Sequence, residues 1–289
     1  MVIPFTKMQA YGNDYVYINA IETEVEDWQD LAIKVSNRNF GVGSDGMILI
    51  CSSDICDFRM RVFDPDGTEC EMCGNALRSV SKYVYYYHLT DKTELTIETY
   101  GGNQHVKLDV ENGQVVNVHA DIGEPVFEYA KVPVNKDTAT NGGIEFEDEF
   151  YSKEVVIEGR TFTMSSLSWG NPHTVMFIDD VDTLDIKKYG PAIENHVLFP
   201  KRTNVTFAQV VDENNIKIRE WERGTGETIG CGTGCCSAVV FGNRLGYTSR
   251  HVDVMQIGGM LHVDWDENNH IHMVGPSTVV YEGEYYYEA

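Results

Sequence analysis

The sequence predicts an α+β fold with two pseudo-symmetric halves, each a strongly curved, mostly antiparallel sheet around one buried helix. Three observations predict it. Short segments that alternate hydrophobic and polar residues recur along the chain. Each half contains a cysteine-glycine turn followed by an apolar helical segment. The two halves also resemble each other in sequence. We expect an active site in the cleft between them.

The internal repeat is the strongest of these signals. With Cys73 opposite Cys231 the offset is 231 − 73 = 158 residues, which is too long for a solenoid. This offset aligns residues 58–75 (FRMRVFDPDGTECEMCGN) with residues 216–233 (IKIREWERGTGETIGCGT). With one residue of slip, residues 100–118 also match residues 257–274. We therefore predict an N-terminal half over 1–121, to which a C-terminal strand at 277–289 returns, and a second half over 122–276.

Local patterns assign the main elements. The segments VKLDV, VVNVH, EVVIEG and NIKIREW alternate as strands do, and Asn112-Gly113 marks a hairpin turn. A helix is predicted near residues 28–35, because Trp28, Leu31, Ala32 and Val35 share one helical face. Two further helices follow the cysteine-glycine turns, and their predicted N-caps are Asn75 and Thr233.

Composition narrows the function classes. Lysine and arginine total 22 and aspartate and glutamate total 45, for a net charge of −23, which argues against nucleic acid or an anionic membrane as partner. The N-terminal segment lacks the pattern of a signal peptide, and no apolar run is long enough for a transmembrane helix. We expect a cytoplasmic protein that acts on a small molecule.

The cysteines do not indicate a disulfide framework or a metal site. There are seven of them, an odd number, in a long chain without a secretion signal. Cys70 and Cys73 have the spacing of a zinc ligand pair, but no second pair or histidine cluster completes four ligands. No metal is therefore predicted.

Cys73 and Cys231 have the context of acid/base residues. A helix N-terminus favours thiolate over thiol and presents N–H groups that can bind a carboxylate. Two such turns facing one cleft suit a racemase, in which one thiolate removes an α-proton and the other thiol protonates the opposite face. A lone cysteine is more often a structural core residue, but the matched context in both halves favours the catalytic interpretation.

Four other residues have two interpretations each. Asn13 and Asn171 follow glycines and suit turns, yet each lies 60 positions before its cysteine (73 − 13 and 231 − 171), which favours a ligand role. Arg223 suits a surface ion pair or a carboxylate clamp. His173 suits a buried structural histidine or a residue that tunes a thiolate, and the sequence does not decide between them.

Six motifs, read together, resemble those of the diaminopimelate epimerase family. They are KMQAYGNDYVYIN, RNFGVGSDGMIL, DPDGTECEMCGNALR, WGNPHTVMFIDDVD, GPAIENHVLFPKRTNV and ERGTGETIGCGTGCC, and they span nearly the whole chain in order. The family is similar to proline racemase in fold and in its pair of cysteines. The resemblance implies a cofactor-independent epimerase that interconverts LL- and meso-diaminopimelate on the route to lysine.

The resemblance also implies roles for individual residues. Cys73 and Cys231 match the acid/base pair, and His173 and Glu222 match positions that assist the thiols. Tyr281 matches a tyrosine at the contact of a homodimer. The positions that match substrate-binding residues are Asn13, Asp64, Gly74, Asn75, Asn171, Asn204, Glu222, Arg223, Gly232 and Thr233.

Asp64 departs from the family pattern, which usually has asparagine there. Its charge would lie near the expected distal carboxylate of diaminopimelate, so a racemase of a basic amino acid or of histidine is the alternative. A different class is a thiol redox-switch protein, in which the paired cysteines would form a disulfide; Glu222 and Arg223 have no role in that class.

Overall fold

The computed structural model describes residues 1–288, which form two compact units. The first comprises residues 1–121 together with the C-terminal segment from Val274, and the second comprises residues 122–273. Ala289, the last residue of the predicted C-terminal strand, lies outside the described residues. Within residues 1–288, no helix combines the length and apolar character needed to span a membrane.

The first unit contains nine strands and two helices. The strands are β1 (Val2–Ala10), β2 (Asn13–Asn19), β3 (Met47–Cys51), β4 (Phe58–Phe63), β5 (Glu69–Cys70), β6 (Glu94–Thr99), β7 (Gly102–Glu111), β8 (Gln114–Asp121) and β18 (Thr278–Tyr286). The helices are α1 (Trp28–Ser36) and α2 (Gly74–Tyr86).

The sheet of the first unit curves around α2. The strands pair in the order β18, β1, β2, β3, β4, β6, β7 and β8, with the short β5 beside β4. Strands β1, β2, β4, β7 and β8 all contact α2, so one sheet covers several sides of one helix. Nine of the thirteen residues of α2 are buried, which exceeds the single apolar stripe of a surface helix.

The second unit contains nine strands and three helices. The strands are β9 (Lys153–Ile157), β10 (Arg160–Ser168), β11 (Pro172–Phe177), β12 (Asn204–Asp212), β13 (Asn215–Glu222), β14 (Gly226–Thr228), β15 (His251–Gln256), β16 (Gly259–Trp265) and β17 (Ile271–Gly275), whose last two residues belong to the first unit. The helices are α3 (Lys136–Asn141), α4 (Ile186–Glu194) and α5 (Gly232–Arg244).

The second unit repeats the pairing pattern of the first. Its order is β9, β10, β11, β12, β13, β15 and β16, with the short β14 beside β13. In both units the third pairing is parallel (β2–β3 and β11–β12), and so is the pairing across the buried helix (β4–β6 and β13–β15). The predicted α+β class with two pseudo-symmetric halves is confirmed.

The local predictions are confirmed with one correction. Helix α1 begins at Trp28 and buries Leu31, Ala32 and Val35, and the backbone at Asn112 and Gly113 has φ of 52° and 76°, as a two-residue hairpin turn requires. The predicted N-caps are wrong. The cysteines themselves, Cys73 and Cys231, are the N-caps, because each keeps an extended backbone and the helix begins at the following glycine.

Candidate active site

Cys73 lies at the N-terminus of α2, where its thiol makes two hydrogen bonds. Its backbone φ and ψ of −134° and 117° are extended, and Gly74 and Asn75 form the first helical residues. The Tyr15 hydroxyl donates to Cys73 Sγ at 3.7 Å, and the thiol donates to Asn13 Oδ1 at 3.6 Å. The sulfur therefore lies at the end of a helix whose first N–H groups have no partner within the helix.

Asn13 connects this thiol to the start of the helix. Its Oδ1 also accepts a hydrogen bond from Asn75 Nδ2 at 3.2 Å, while its Nδ2 donates to Asp45 at 2.8 Å. The fully buried Arg78 donates to Asn75 Oδ1 at 2.6 Å. The predicted residues Asn13, Cys73 and Asn75 are thus brought together, and the sequence reasoning missed Tyr15.

The glycines before the two repeat-related asparagines explain their placement. Gly12 and Gly170 have φ of 80° and 98°, in the left-handed region that favours glycine. Each allows a tight turn between adjacent antiparallel strands, β1–β2 and β10–β11. Asn13 and the half-buried Asn171 follow these turns at equivalent positions, although only Asn13 has a described side-chain contact with a cysteine.

Asp64 belongs to a tight turn and receives a thiol hydrogen bond. The backbone N–H of Gly67 donates to the Asp64 carbonyl at 2.9 Å, and Cys70 Sγ donates to Asp64 Oδ2 at 2.9 Å. Burial, followed by this hydrogen bond and the charge of Asp64, raises the pKa of Cys70 to about 12. Cys70 therefore remains a proton donor to Asp64 at neutral pH.

Cys231 lies at the equivalent position of the second unit, as the N-cap of α5. Its backbone N–H donates to Gln256 Oε1 at 2.9 Å, and its Sγ is 3.6 Å from Thr233 Oγ1. Only 7% of Cys231 is exposed. Gly232 and Thr233 begin the helix, so the predicted residues of this turn lie together, and Gln256 was not predicted.

The expected depression of the thiol pKa is wrong for Cys231. Burial is the largest influence and raises the pKa of this thiol well above its ordinary value, and the charges of Glu222 and Glu220 raise it further. Hydrogen bonds from Thr233 and from the Gly234 N–H lower the pKa less. The raised pKa favours the protonated form of the Cys231 thiol, which is the form that donates a proton.

Asn204 fixes the Glu222–Arg223 turn beside this cysteine. The Asn204 side chain is buried, donates to the Pro172 carbonyl at 3.0 Å and accepts from the Arg223 N–H at 2.9 Å. Thr228 Oγ1 donates to Glu222, and the exposed Arg223 guanidinium donates to the Lys201 carbonyl at 3.3 Å. The Arg223 backbone is therefore fixed by Asn204, while its exposed guanidinium makes one bond of 3.3 Å to the Lys201 carbonyl.

His173 is fully buried and faces a glutamate that the sequence reasoning missed. Its Nδ1 is 3.7 Å from Glu220 Oε1, beyond hydrogen-bond distance. Burial, followed by the charge of Arg223, lowers the pKa of His173 to about 3, so the ring is neutral. The sequence does indicate that Glu220 is buried. It is the next residue after Ile216 and Ile218 on the buried face of β13.

The comparisons with known proteins identify the family. The diaminopimelate epimerase family model matches residues 5–128 and 165–280. A diaminopimelate epimerase of Desulfovibrio desulfuricans is 45% identical over 99% of both chains, and one of Acetivibrio thermocellus is 44% identical over 97% of both. The chain belongs to the diaminopimelate epimerase family. The identity extends over both units, so both helix N-termini fall within the matched region.

Solved structures at low sequence identity share the fold of this diaminopimelate epimerase family member. A Bacillus anthracis phenazine biosynthesis protein of the PhzF family is 19% identical, with a TM-score of 0.69 over 98% of this chain and 99% of that one. A hydroxyproline epimerase from Agrobacterium vitis is 10% identical, with a TM-score of 0.62 over 98% and 92% of the two chains. At these identities the likeness concerns the fold alone.

Proposed function

We propose that the protein interconverts LL- and meso-diaminopimelate without a cofactor, using Cys73 and Cys231 as its two acid/base residues. One observation carries the proposal: in a member of this family, a cysteine is the N-cap of the buried helix at the equivalent place in both units. Family membership supports the substrate, and the repeated N-cap supports the chemistry.

In the proposed mechanism the two thiols act on one α-carbon from opposite faces. In one direction a Cys73 thiolate removes the α-proton and the Cys231 thiol donates a proton, and in the other direction the roles are exchanged. The raised pKa of Cys231 suits the donor role. The Tyr15 hydroxyl donates to Cys73 Sγ and can stabilise the thiolate, whereas Asn13 Oδ1 accepts a hydrogen bond from the thiol form.

Backbone N–H groups would stabilise the negative charge that develops on the substrate. The first N–H groups of α2 and α5, at Gly74, Asn75, Gly232 and Thr233, are the groups that a helix leaves available for a carboxylate. Charge that moves onto the α-carboxylate during proton removal would meet these preorganised donors. Asn171, Asn204, Glu222 and Arg223 are proposed to bind the remainder of the substrate, with Arg223 at a carboxylate.

Cys73→Ser and Cys231→Ser test the two-base chemistry. Each variant should lose epimerisation by about 10²- to 10⁴-fold or more, because serine at neutral pH is a far weaker acid/base group. The measurement is deuterium incorporation at the α-carbon of LL-diaminopimelate in D₂O, by NMR. Cys56→Ser, on a loop of the first unit, is the control and should behave as wild type. Full epimerisation by either active-site variant would refute the proposal.

Asp64 supports a second candidate, a racemase of a basic amino acid or of histidine. The carboxylate bonded to Cys70 is an acceptor for an ammonium or imidazolium group and would repel a nearby substrate carboxylate. We keep diaminopimelate as the first choice because the relatives at 44–45% identity over nearly the whole chain carry that name. The substrate panel that separates the two candidates is described in the Discussion.

We also propose an assembly and a location. Tyr281 on β18 is 44% exposed and packs edge-to-face on Phe5 at 5.9 Å between ring centroids. Val280 and Tyr286 on the same strand are also exposed. We propose that this strand forms the contact of a homodimer. A role in lysine synthesis supports a cytoplasmic location, which we propose together with the dimer. Analytical ultracentrifugation of the wild type and Tyr281→Ala tests the dimer.

A further inference from the structure

Glu220 occupies a core position where a charged residue is unexpected. It is 2% exposed and follows Ile216 and Ile218, which are 0% and 1% exposed, on the inward face of β13. Its carboxyl group lies against the first turn of α5, because a Cβ placed on Gly234 would lie 2.6 Å from Glu220 Oε2. Glutamate is almost never fully buried unless a partner compensates for the lost hydration.

The polar groups around this carboxyl group lack ordinary partners. Neither oxygen of Glu220 makes a hydrogen bond within the described residues, and the same holds for both ring nitrogens of His173 and for the hydroxyl of Thr206. Thr206 lies directly opposite Glu220 across the β12–β13 ladder. Three adjacent buried polar side chains without partners require an explanation, because such groups are rare in folded proteins.

The same carboxyl group faces the helical turn that Cys231 begins. It lies against Gly234, three residues after Cys231. Both side chains are buried, and the charge of Glu220 raises the pKa of the Cys231 thiol, so the two groups interact across this turn. Burial on this side of α5 therefore encloses an acid, a thiol and a neutral imidazole together.

We propose that Glu220 is a positioning residue for Cys231 and that the carboxyl and thiol groups share a single proton. In the step, the Sγ–H bond breaks, an Oε–H bond forms on Glu220, and one negative charge moves from the carboxylate to the sulfur. The reverse step restores the thiol. Glu220 thus acts through Cys231 and does not contact the substrate. The inference rests on the proposed two-thiol function, since it explains how Cys231 supplies both thiolate and thiol.

The surrounding charges favour one shared proton over two anions. The titratable groups that face this site are His173 on β11, Glu222 on β13 and Cys231 at the start of α5, with Arg223 acting on His173 from the following turn. Burial is the largest influence on Glu220 and raises its pKa well above the ordinary value, and the charge of Glu222 adds to this. Two anions would repel each other in this buried space, whereas a single charge with one proton is tolerated.

Infrared spectroscopy and thiol alkylation test the shared proton without any substrate. Wild-type protein at neutral pH should show the C=O stretching band of a protonated carboxyl group, and Glu220→Gln should lose it. Alkylation of Cys231 by iodoacetamide, followed by mass spectrometry of its peptide, should rise in two pH steps in the wild type and in one step in Glu220→Gln. Glu227→Gln is the control: it is the same substitution on β14, where Glu227 pairs with Arg219, and it should match the wild type in both measurements.

Kinetics then separate positioning from simple structural support. Glu220→Gln should lower kcat about 10²-fold in both directions while KM changes less than about threefold, and Glu220→Asp should recover part of the loss because it keeps a titratable carboxyl group. A missing carboxyl band in the wild type, or a Cys231 alkylation profile unchanged by Glu220→Gln, would overturn the inference. If the wild type fails to epimerise diaminopimelate, the proposed function fails, yet the infrared and alkylation results still decide whether Glu220 shares its proton.

Discussion

At the scale of single residues, Asp64 has the most direct consequence for substrate choice. Its carboxylate accepts a hydrogen bond from the Cys70 thiol, and the raised pKa of that thiol, about 12, keeps the donor protonated. A neutral thiol orients the carboxylate without cancelling its charge. Two unit charges about 4 Å apart interact by about 4 kcal/mol at an effective dielectric of 20, so the orientation of Asp64 toward an ammonium or a carboxylate matters.

Asp64→Asn should change KM for LL-diaminopimelate by less than about tenfold and leave kcat nearly unchanged, because the thiols are untouched. The measurement is kcat/KM of the wild type and the variant for LL-diaminopimelate, lysine, ornithine and histidine. Asp66→Asn, which removes an exposed charge from the same turn, is the matched control. If the wild type ranks diaminopimelate last, the substrate proposal is wrong and the racemase of a basic amino acid or histidine takes its place.

Residue identities predicted the contacts of the site better than its electrostatics. The matched spacing of Asn13 and Cys73 in the repeat predicts that they act together, and the structure contains a hydrogen bond between them. The direction of the Cys231 pKa could not be predicted, because it depends on burial and on Glu220, which approaches α5 only after β13 is paired. The helix dipole is one local influence on the pKa of the Cys231 thiol, but desolvation is a larger one, and helix-dipole reasoning omits it.

At the scale of elements, the two helix N-termini differ from what capping preferences suggest. Asparagine and threonine are preferred N-caps, yet Asn75 lies inside α2 and uses its side chain to bind Asn13 and Arg78. Cys73 occupies the N-cap, and its side chain makes no capping hydrogen bond. The weaker cap leaves the Cys73 sulfur available for other contacts. The start of α2 therefore serves the candidate site at some cost to the stability of the helix.

Replacing Cys73 with serine should therefore improve the cap even as it removes activity. A serine hydroxyl can accept a hydrogen bond from the N–H of the second or third helical residue, whereas alanine cannot, and the difference is about 1 kcal/mol. We expect Cys73→Ser to be more stable than Cys73→Ala by about that amount in urea unfolding, with both variants inactive. Equal stability of the two variants would contradict the placement of the N-cap at Cys73.

At the scale of the whole molecule, the repeat was predictable and the strand order was not. An offset of 158 residues, from Cys73 to Cys231, aligned segments that form equivalent strands. Alternation of polar and apolar residues could not distinguish the parallel pairs β2–β3 and β4–β6 from antiparallel ones, since both have a period of two. Those pairings follow from α1 and α2, which connect the strands and allow the chain to return in the same direction.

The stability of the whole molecule should depend on pH through its buried ionisable groups. These contributions add to that of the surface carboxylates, which give the chain a net charge of −23. His173 has an ordinary pKa of 6.5 and a folded pKa of about 3, so the unfolded chain binds the extra proton and stability falls as pH drops below about 6.5. Glu220 acts in the opposite sense: its pKa is raised in the folded state, so the folded chain holds the extra proton and stability falls as pH rises above about 4.5. The two contributions oppose each other between these pH values.

The variant Glu220→Gln separates the Glu220 and His173 contributions to the pH dependence of stability. It loses only the Glu220 contribution and keeps the His173 contribution and almost all of the surface charge. Its free energy of unfolding relative to wild type should be constant below about pH 4 and should then increase by up to about 1.4 kcal/mol per pH unit until the folded pKa of Glu220 is reached. Urea unfolding of both proteins from about pH 4 to pH 8 measures the difference, with Glu227→Gln as the control. Because repulsion among surface carboxylates is nearly the same in both proteins, it cancels in this difference. A difference that stays flat across the range would mean that the carboxyl group is ionised in the folded protein. Burial of Glu220 would then need a compensating cation, whereas the two cations of β13, Lys217 and Arg219, pair with Asp182 and Glu227.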